Sequence, residues 1–192
     1  MRMAEAYDPL HYENLARSVV NALLEAEAVA MPPATEFSGS GVYALYYTGG
    51  LPFYEGIASP ACRTPIYVGK AAPAGGRKGA RGSGAAGSSG ELFRRLRQHG
   101  RSVEQADNLH LSEFRCRYLV VVPVWIDLAE RFLLEHFRPV WNTVIDGFGN
   151  HDPGRGRLGG RRPRWDVVHP GRSWAEALQT DETVEDVLSL LD

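Results

Sequence analysis

The run Leu119-Val120-Val121-Val122, closing the segment from Phe114 to Val122, constrains the fold more than any other stretch of the chain. Unbroken β-branched and aliphatic residues suit a strand covered on both faces, so a central sheet position is predicted. Two further strands precede it. Gly41 to Tyr47 is aromatic and aliphatic and is bounded by Gly49-Gly50, and Pro65 to Gly69 follows after a long loop. Together they predict a β-hairpin with an expanded turn. Helical patterns surround the strands. Asp8-Pro9 combines a cap residue with proline, and Leu15, Val19, Leu23 and Leu24 recur near a 3.6 period up to Ala30, before Met31-Pro32-Pro33 ends the helix. A second helix is predicted from Leu92 to about His99, with Ser88 and Glu91 as a capping box and Gly100 as the stop. A third spans Ile126 to Phe137, with Leu128, Phe132, Leu133 and Phe137 on its buried side and Pro139 beyond its end. The expected fold is α/β (α+β), a small antiparallel β-sheet flanked by helices in the order α-β-β-α-β-α. In the C-terminal extension, Trp165 to Pro170 reads as a short strand, and Ser173 to Gln179 and Val184 to Leu191 as short helices.

With 192 residues a single domain is expected, made of an N-terminal helical extension (1–36), a core (37–145) and a basic loop followed by acidic helices (146–192). No apolar run approaches the roughly 20 residues that span a bilayer, and the N-terminus lacks a signal-peptide pattern, so a cytoplasmic protein is expected. Cys62 and Cys116 lack partners at zinc-finger spacing and read as reduced structural thiols. The net charge of −2 hides a strong asymmetry: from Phe37 to Arg172 there are 19 Lys or Arg against 11 Asp or Glu, whereas Ser173 to Asp192 carries six acids and no base. A cationic body suits a polyanion partner, because phosphate neutralisation depends on local potential.

Two segments concentrate that charge outside regular elements. Ala71 to Gly90 is built of Gly, Ala and Ser interrupted by Arg77, Lys78 and Arg81, and it lacks the phosphate-cradling glycine patterns of nucleotide sites, so no nucleotide cofactor is expected. Gly147 to Arg164 contains Asn150, His151 and Asp152, then Arg155, Arg157, Arg161, Arg162 and Arg164. Its length and charge exceed what a connection needs.

Several polar residues then stand out together. Glu130 lies on or beside the apolar stripe of its helix, where a carboxylate is costly unless it is paired or ligated. Arg95 and His99 are four apart and share a helix face, and Tyr43 and Tyr67 fall on adjacent strands with Lys70 just after the second. The motifs Gly41-Val42-Tyr43, Tyr67-Val68-Gly69-Lys70, Arg95-Leu96-Arg97-Gln98-His99, Glu130 and Pro139-Val140-Trp141-Asn142 follow in that order. In these residues the chain resembles the GIY-YIG nuclease superfamily. The segments from Tyr7 to Leu15, Ile66 to Ala71 and Gly147 to Gly154 are similar to the branch of type II restriction endonucleases that cut the palindrome CCGCGG.

The resemblance implies hydrolysis of double-stranded DNA, with Glu130 holding one Mg²⁺ for which Mn²⁺ can substitute. It also implies that Tyr43 activates the attacking water as a phenolate favoured by Lys70, Arg95 or the metal. Arg95 would brace the phosphate, His99 and Tyr67 would hydrogen-bond near the reaction centre, and Asn142 would position the neighbourhood of Tyr43 or Glu130. A palindromic target calls for a two-fold homodimer. Reading G·C pairs calls for Arg or Lys at guanine, with Arg155, Arg157, Arg161, Arg162 and Arg164 first in line, Arg77, Lys78 and Arg81 second, and Asn150 and His151 beside them. The acidic terminal helices are expected to face away from nucleic acid. The alternatives are a repair or recombination nuclease of the same superfamily and a catalytically silent DNA-binding module.

Overall fold

Every residue of the strand Gly41–Tyr47 is buried, and the sheet is built around it. The computed structural model describes residues 8, 10–73, 90–152 and 160–191. Within them lie α1 (Tyr12–Glu25), β1 (Val29–Ala30), β2 (Gly41–Tyr47), β3 (Tyr67–Ala71), α2 (Glu91–Glu104), β4 (Phe114–Val120), α3 (Ile126–Phe137), α4 (Val140–Thr143), α5 (Arg164–Val168), α6 (Ser173–Glu176) and α7 (Val184–Leu188). The sheet has the order β1-β4-β2-β3, and every pairing is antiparallel. The expected α+β architecture and the β2–β3 hairpin are both present.

Strand alternation sorts the core into two layers. Tyr43, Leu45 and Tyr47 point to one face, where they pack with Leu92, Leu96 and Val103 of α2 and with Trp141, Phe148 and Trp165. Val42, Ala44 and Tyr46 point to the other and meet Val20 and Leu23 of α1 and Ile126, Ala129 and Leu133 of α3. Because Trp165, Val168 and Val187 join the first cluster, the C-terminal extension shares a core with the sheet.

Four expectations are corrected. The strand with continuous burial is β2, not β4: β4 does lie inside the sheet, but Val120 is 49% and Val122 56% exposed where the chain runs past the helices toward Pro123. The first helix ends at Glu25, and Val29 and Ala30 leave the helical path to pair with Cys116 and Arg115, since closing the outer edge of β4 outweighs helical periodicity. Helix α2 continues through Gly100 to Glu104; Gly100 leaves room for Pro32, whose Cδ would lie 3.0 Å from a Cβ there. The proposed cap Ser88 falls outside the described residues. Trp165 to Val168 forms helix α5 after Pro163, with four consecutive buried side chains. Ile126–Phe137 is helical at the expected bounds, and both cysteines are free and buried. Among the described residues no helix is long and apolar enough to cross a membrane.

Candidate active site

The hairpin register, with Tyr43 opposite Gly69 and Leu45 opposite Tyr67, puts both tyrosines on the face covered by α2. The motif glycines have steric reasons. A Cβ on Gly69 would collide with the Tyr43 phenol, and one on Gly41 with the Leu119 carbonyl. From α2, His99 reaches down so that its Nε2 lies 2.6 Å from the Tyr43 hydroxyl, and both residues are buried. Burial raises the Tyr43 pKa far above its ordinary value, with the Tyr67 phenol adding to the shift and Arg95 opposing it. Burial, helped by the charge of Arg95, holds His99 well below the usual imidazole range. Both groups are therefore uncharged at neutral pH, and in the tautomer that carries the ring proton on Nδ1 the phenol donates to Nε2. Tyr67 stands edge-on to His99 with centroids 5.2 Å apart, and Phe148 stacks on the same imidazole at 4.7 Å.

Lys70, expected to act on Tyr43, belongs to the opposite face, because it pairs with Val42 one position along the strand. Its Nζ lies 2.6 Å from Glu130 Oε2 and 3.0 Å from Asp127 Oδ1, and the Glu130 bond raises the lysine pKa. Asp127 and Glu130 are three apart on α3 and so share one side of the helix. Two hard carboxylate donors already facing a cation fit a divalent metal. Among the described residues no three His, Cys, Asp or Glu side chains gather, so the rest of a metal's shell would come from water and substrate oxygens. The negative charge of Glu130 also reaches the two phenols and raises their pKa values.

The side-chain hydrogen bonds of Asn142 go to neither Tyr43 nor Glu130. Its Nδ2 donates to the Val68 carbonyl at 2.9 Å and its Oδ1 accepts from the Val68 amide at 2.8 Å, satisfying both outward groups of the edge strand between Tyr67 and Gly69. Arg95 donates to Gln98 Oε1 at 2.9 Å, to the Gly149 carbonyl at 3.3 Å and toward His151 Nε2 at 2.7 Å. Those contacts occupy three of the five N–H donors of a guanidinium. His151 is kept below its ordinary pKa by burial and by the charges of Arg95 and Arg172, in keeping with an acceptor role.

The structure thus brings together Tyr43, Tyr67, Arg95, His99 and His151 on one face, Lys70 and Glu130 on the other, and Asn142 at the intervening edge. Asn150 is exposed beside His151, and its carbonyl accepts from Arg172. Arg77, Lys78, Arg81, Arg155 and Arg157 lie outside the described residues. The remaining arginines are committed within the chain. Arg162 donates to the Ala175 and Glu176 carbonyls, Arg161 pairs with Asp181, and Arg164 makes a forked contact with Glu182. The acidic tail is therefore not turned wholly away from the basic segment, because Asp181 and Glu182 neutralise two of its arginines. Sequence reasoning missed Asp127, Gln98, Phe148, Asp166 and Arg172. Asp127 had a usable signal in its i,i+3 spacing to Glu130, whereas nothing local marks Arg172.

A four-stranded sheet whose hairpin glycines make room for a buried tyrosine, with an arginine and a histidine one turn apart on the covering helix, defines a GIY-YIG-type nuclease domain. The family model described as Eco29kI GIY-YIG domain matches residues 35–190, from just before β2 through α7, and the chain belongs to this family of restriction-endonuclease-like nucleases. No curated protein matches the chain significantly.

Proposed function

We propose that this protein is a sequence-specific type II restriction endonuclease that hydrolyses double-stranded DNA at a GC-rich palindrome, CCGCGG, as a homodimer. Residues 1–192 act as a single nuclease domain with one divalent metal, Mg²⁺ or Mn²⁺, at Glu130. The observation that carries this reading is the buried 2.6 Å hydrogen bond from Tyr43 to His99. A neutral phenol is a poor base, but one already donating to a neutral imidazole can pass its proton to His99 Nε2 as it takes a proton from water. The resulting hydroxide attacks phosphorus as the bond to the leaving oxygen breaks; that oxygen departs with the bonding pair and takes a proton from solvent, and His99 gives its extra proton back to solvent. When bound, the metal supplies positive charge to the phosphate and the leaving oxygen. Arg95 braces the phosphate, and Tyr67 completes the wall beside His99. Asn142 fixes the strand that carries Tyr67 and Gly69, and Lys70 balances the charge of Asp127 and Glu130.

Base reading falls to Arg155 and Arg157, with Arg77, Lys78 and Arg81 in support. Asn150 and His151 lie where the site meets the DNA. Arg162 is a brace, since its donors go to backbone carbonyls, while Arg161 and Arg164 reach DNA only by exchanging their carboxylate partners. The test is digestion of two plasmids, one carrying CCGCGG and one without it, by the parent and Glu130→Gln proteins in Mg²⁺. Discrete fragments from the first plasmid alone, lost in the variant, are expected. A smear from both plasmids would mean a nuclease without this specificity, and intact DNA at every enzyme concentration would mean a binding module. Light scattering of the protein on a cognate duplex reads the dimer directly.

A further inference from the structure

Arg172 is 1% exposed, yet all five of its N–H donors are used. Its Nε and Nη2 each lie 2.6 Å from an Asp166 carboxylate oxygen. The remaining donors reach the carbonyls of Phe148 at 3.1 Å, Asn150 at 3.2 Å and Gly147 at 3.1 Å. The rings of Trp165 and Trp174 flank the guanidinium at 4.4 and 4.9 Å. A buried ion pair rarely stabilises a fold more than apolar packing of equal volume would. What an apolar side chain cannot do is collect three carbonyls from one irregular segment and hold that backbone in a single shape.

The other side of the same segment faces the site. Phe148 stacks on the His99 ring, and the Gly149 carbonyl and His151 imidazole take two donors of Arg95. The fit is close: a Cβ on Gly149 would lie 2.7 Å from the Tyr67 hydroxyl oxygen. A shift of the loop by an ångström would therefore move the ring against His99 and the acceptors of Arg95 together.

We propose that Arg172, oriented by Asp166, is a positioning residue for the nuclease site, acting through the 147–151 loop to hold Arg95 and His99 in working geometry. The effect on cleavage rests on the nuclease reading, whereas the effect on the loop does not. The test uses the full chain carrying Arg172→Ala, Arg172→Lys or Asp166→Asn. Hydrogen exchange follows the 147–151 amides, thermal unfolding follows the fold, and steady-state cleavage of a cognate duplex separates kcat from KM.

In Arg172→Ala we expect loop exchange to rise about tenfold while α2 and the sheet stay protected. Turnover should fall about a hundredfold at nearly unchanged KM, the scale of a misplaced catalytic group. Millimolar guanidinium ion should restore part of kcat, and methylammonium should not. Lysine carries three donors in place of a fork and should restore little. A folded Arg172→Ala protein with parental loop exchange would overturn the proposal, as would unchanged turnover in a loosened loop. Global unfolding of all three variants would also overturn it, because the pair would then hold the fold and not the site. Should the parent protein leave DNA intact, the nuclease reading fails, and loop exchange still decides whether Arg172 fixes the loop.

Discussion

The Tyr43–His99 contact depends on both partners being neutral, and burial enforces that in opposite directions, raising the phenol and lowering the imidazole. Tyr43→Phe keeps the ring and removes the proton path, so turnover should fall by about 10² to 10⁴. The same change leaves a buried ring nitrogen without a donor, which costs about 1–3 kcal/mol, measured by urea unfolding. A variant that loses this stability yet cuts at the parental rate would mean that the base lies elsewhere. The pH profile follows from the sign of the histidine shift. Protonation removes the acceptor at Nε2, and because the His99 pKa is lowered, cleavage should persist as pH falls past 6.5 and collapse only further into acid. An acid limb centred at or above 6.5 would place a different group in control. Tyr43, His99 and their neighbours were legible in the sequence, since a strand motif and an i,i+4 helix pair announce themselves locally. Their charge states were not, because burial is a property of the packed molecule.

At the level of elements, the weak point is β3, an edge strand whose outward amide and carbonyl at Val68 have no strand partner. Asn142, carried past the end of α3 on α4, takes both groups and stands in for a fifth strand. Asn142→Ala should therefore destabilise the protein by about 1–3 kcal/mol for each polar group left unpaired. The Val68 amide should exchange faster before the rest of the sheet does. Asn142→Asp keeps the acceptor and loses the donor, so an intermediate loss is expected; equal exchange at Val68 in parent and alanine variant would remove this role. The helix patterns located α1, α2 and α3 but misjudged where α1 and α2 stop. Val29-Ala30 and Gly100 behave as they do because β4 and Pro32 lie against them, and neither neighbour is near in sequence.

For the molecule as a whole, the acidic tail and basic body form a partly self-neutralised pair through Arg161–Asp181 and Arg164–Glu182. Both pairs are solvent-accessible and contribute little to stability. Their consequence is for polyanions: Glu182→Gln frees Arg164, so affinity for a duplex at low salt should rise and the salt dependence should steepen. Unchanged affinity and slope would show that Arg164 never reaches the DNA. A second global property is acid sensitivity. Trp141 donates to the Tyr54 hydroxyl at 2.6 Å, and Tyr54 lies 2.7 Å from Nε2 of His169, whose Nδ1 faces Asn108 Oδ1 at 2.9 Å. This chain needs a neutral imidazole, and burial pushes the His169 pKa down to about 3. Between about pH 6.5 and 3 the unfolded chain holds a proton that the native state refuses. Stability present above 6.5 should thus fall by about 1.4 kcal/mol per pH unit from this residue as pH drops through that window. His169→Gln should flatten that slope in denaturant titrations at pH 7, 6 and 5; a slope identical to the parent's would remove His169 as its source.

The sequence by itself determined β2, β3, β4, the places of α1, α2 and α3 and the ordered motif residues, because periodicity, glycine placement and short-range spacing are written within a few positions of each other. Only the tertiary structure decided that Lys70 serves Glu130 and Asp127 and not Tyr43, a matter of which sheet face each residue takes. It likewise decided that Arg162 braces a backbone that α6 supplies, and that Arg172, with no local motif, closes the loop under Arg95 and His99. Those outcomes depend on which distant carbonyls and carboxylates the fold delivers to a buried guanidinium or an ammonium, and no window along the chain contains both partners.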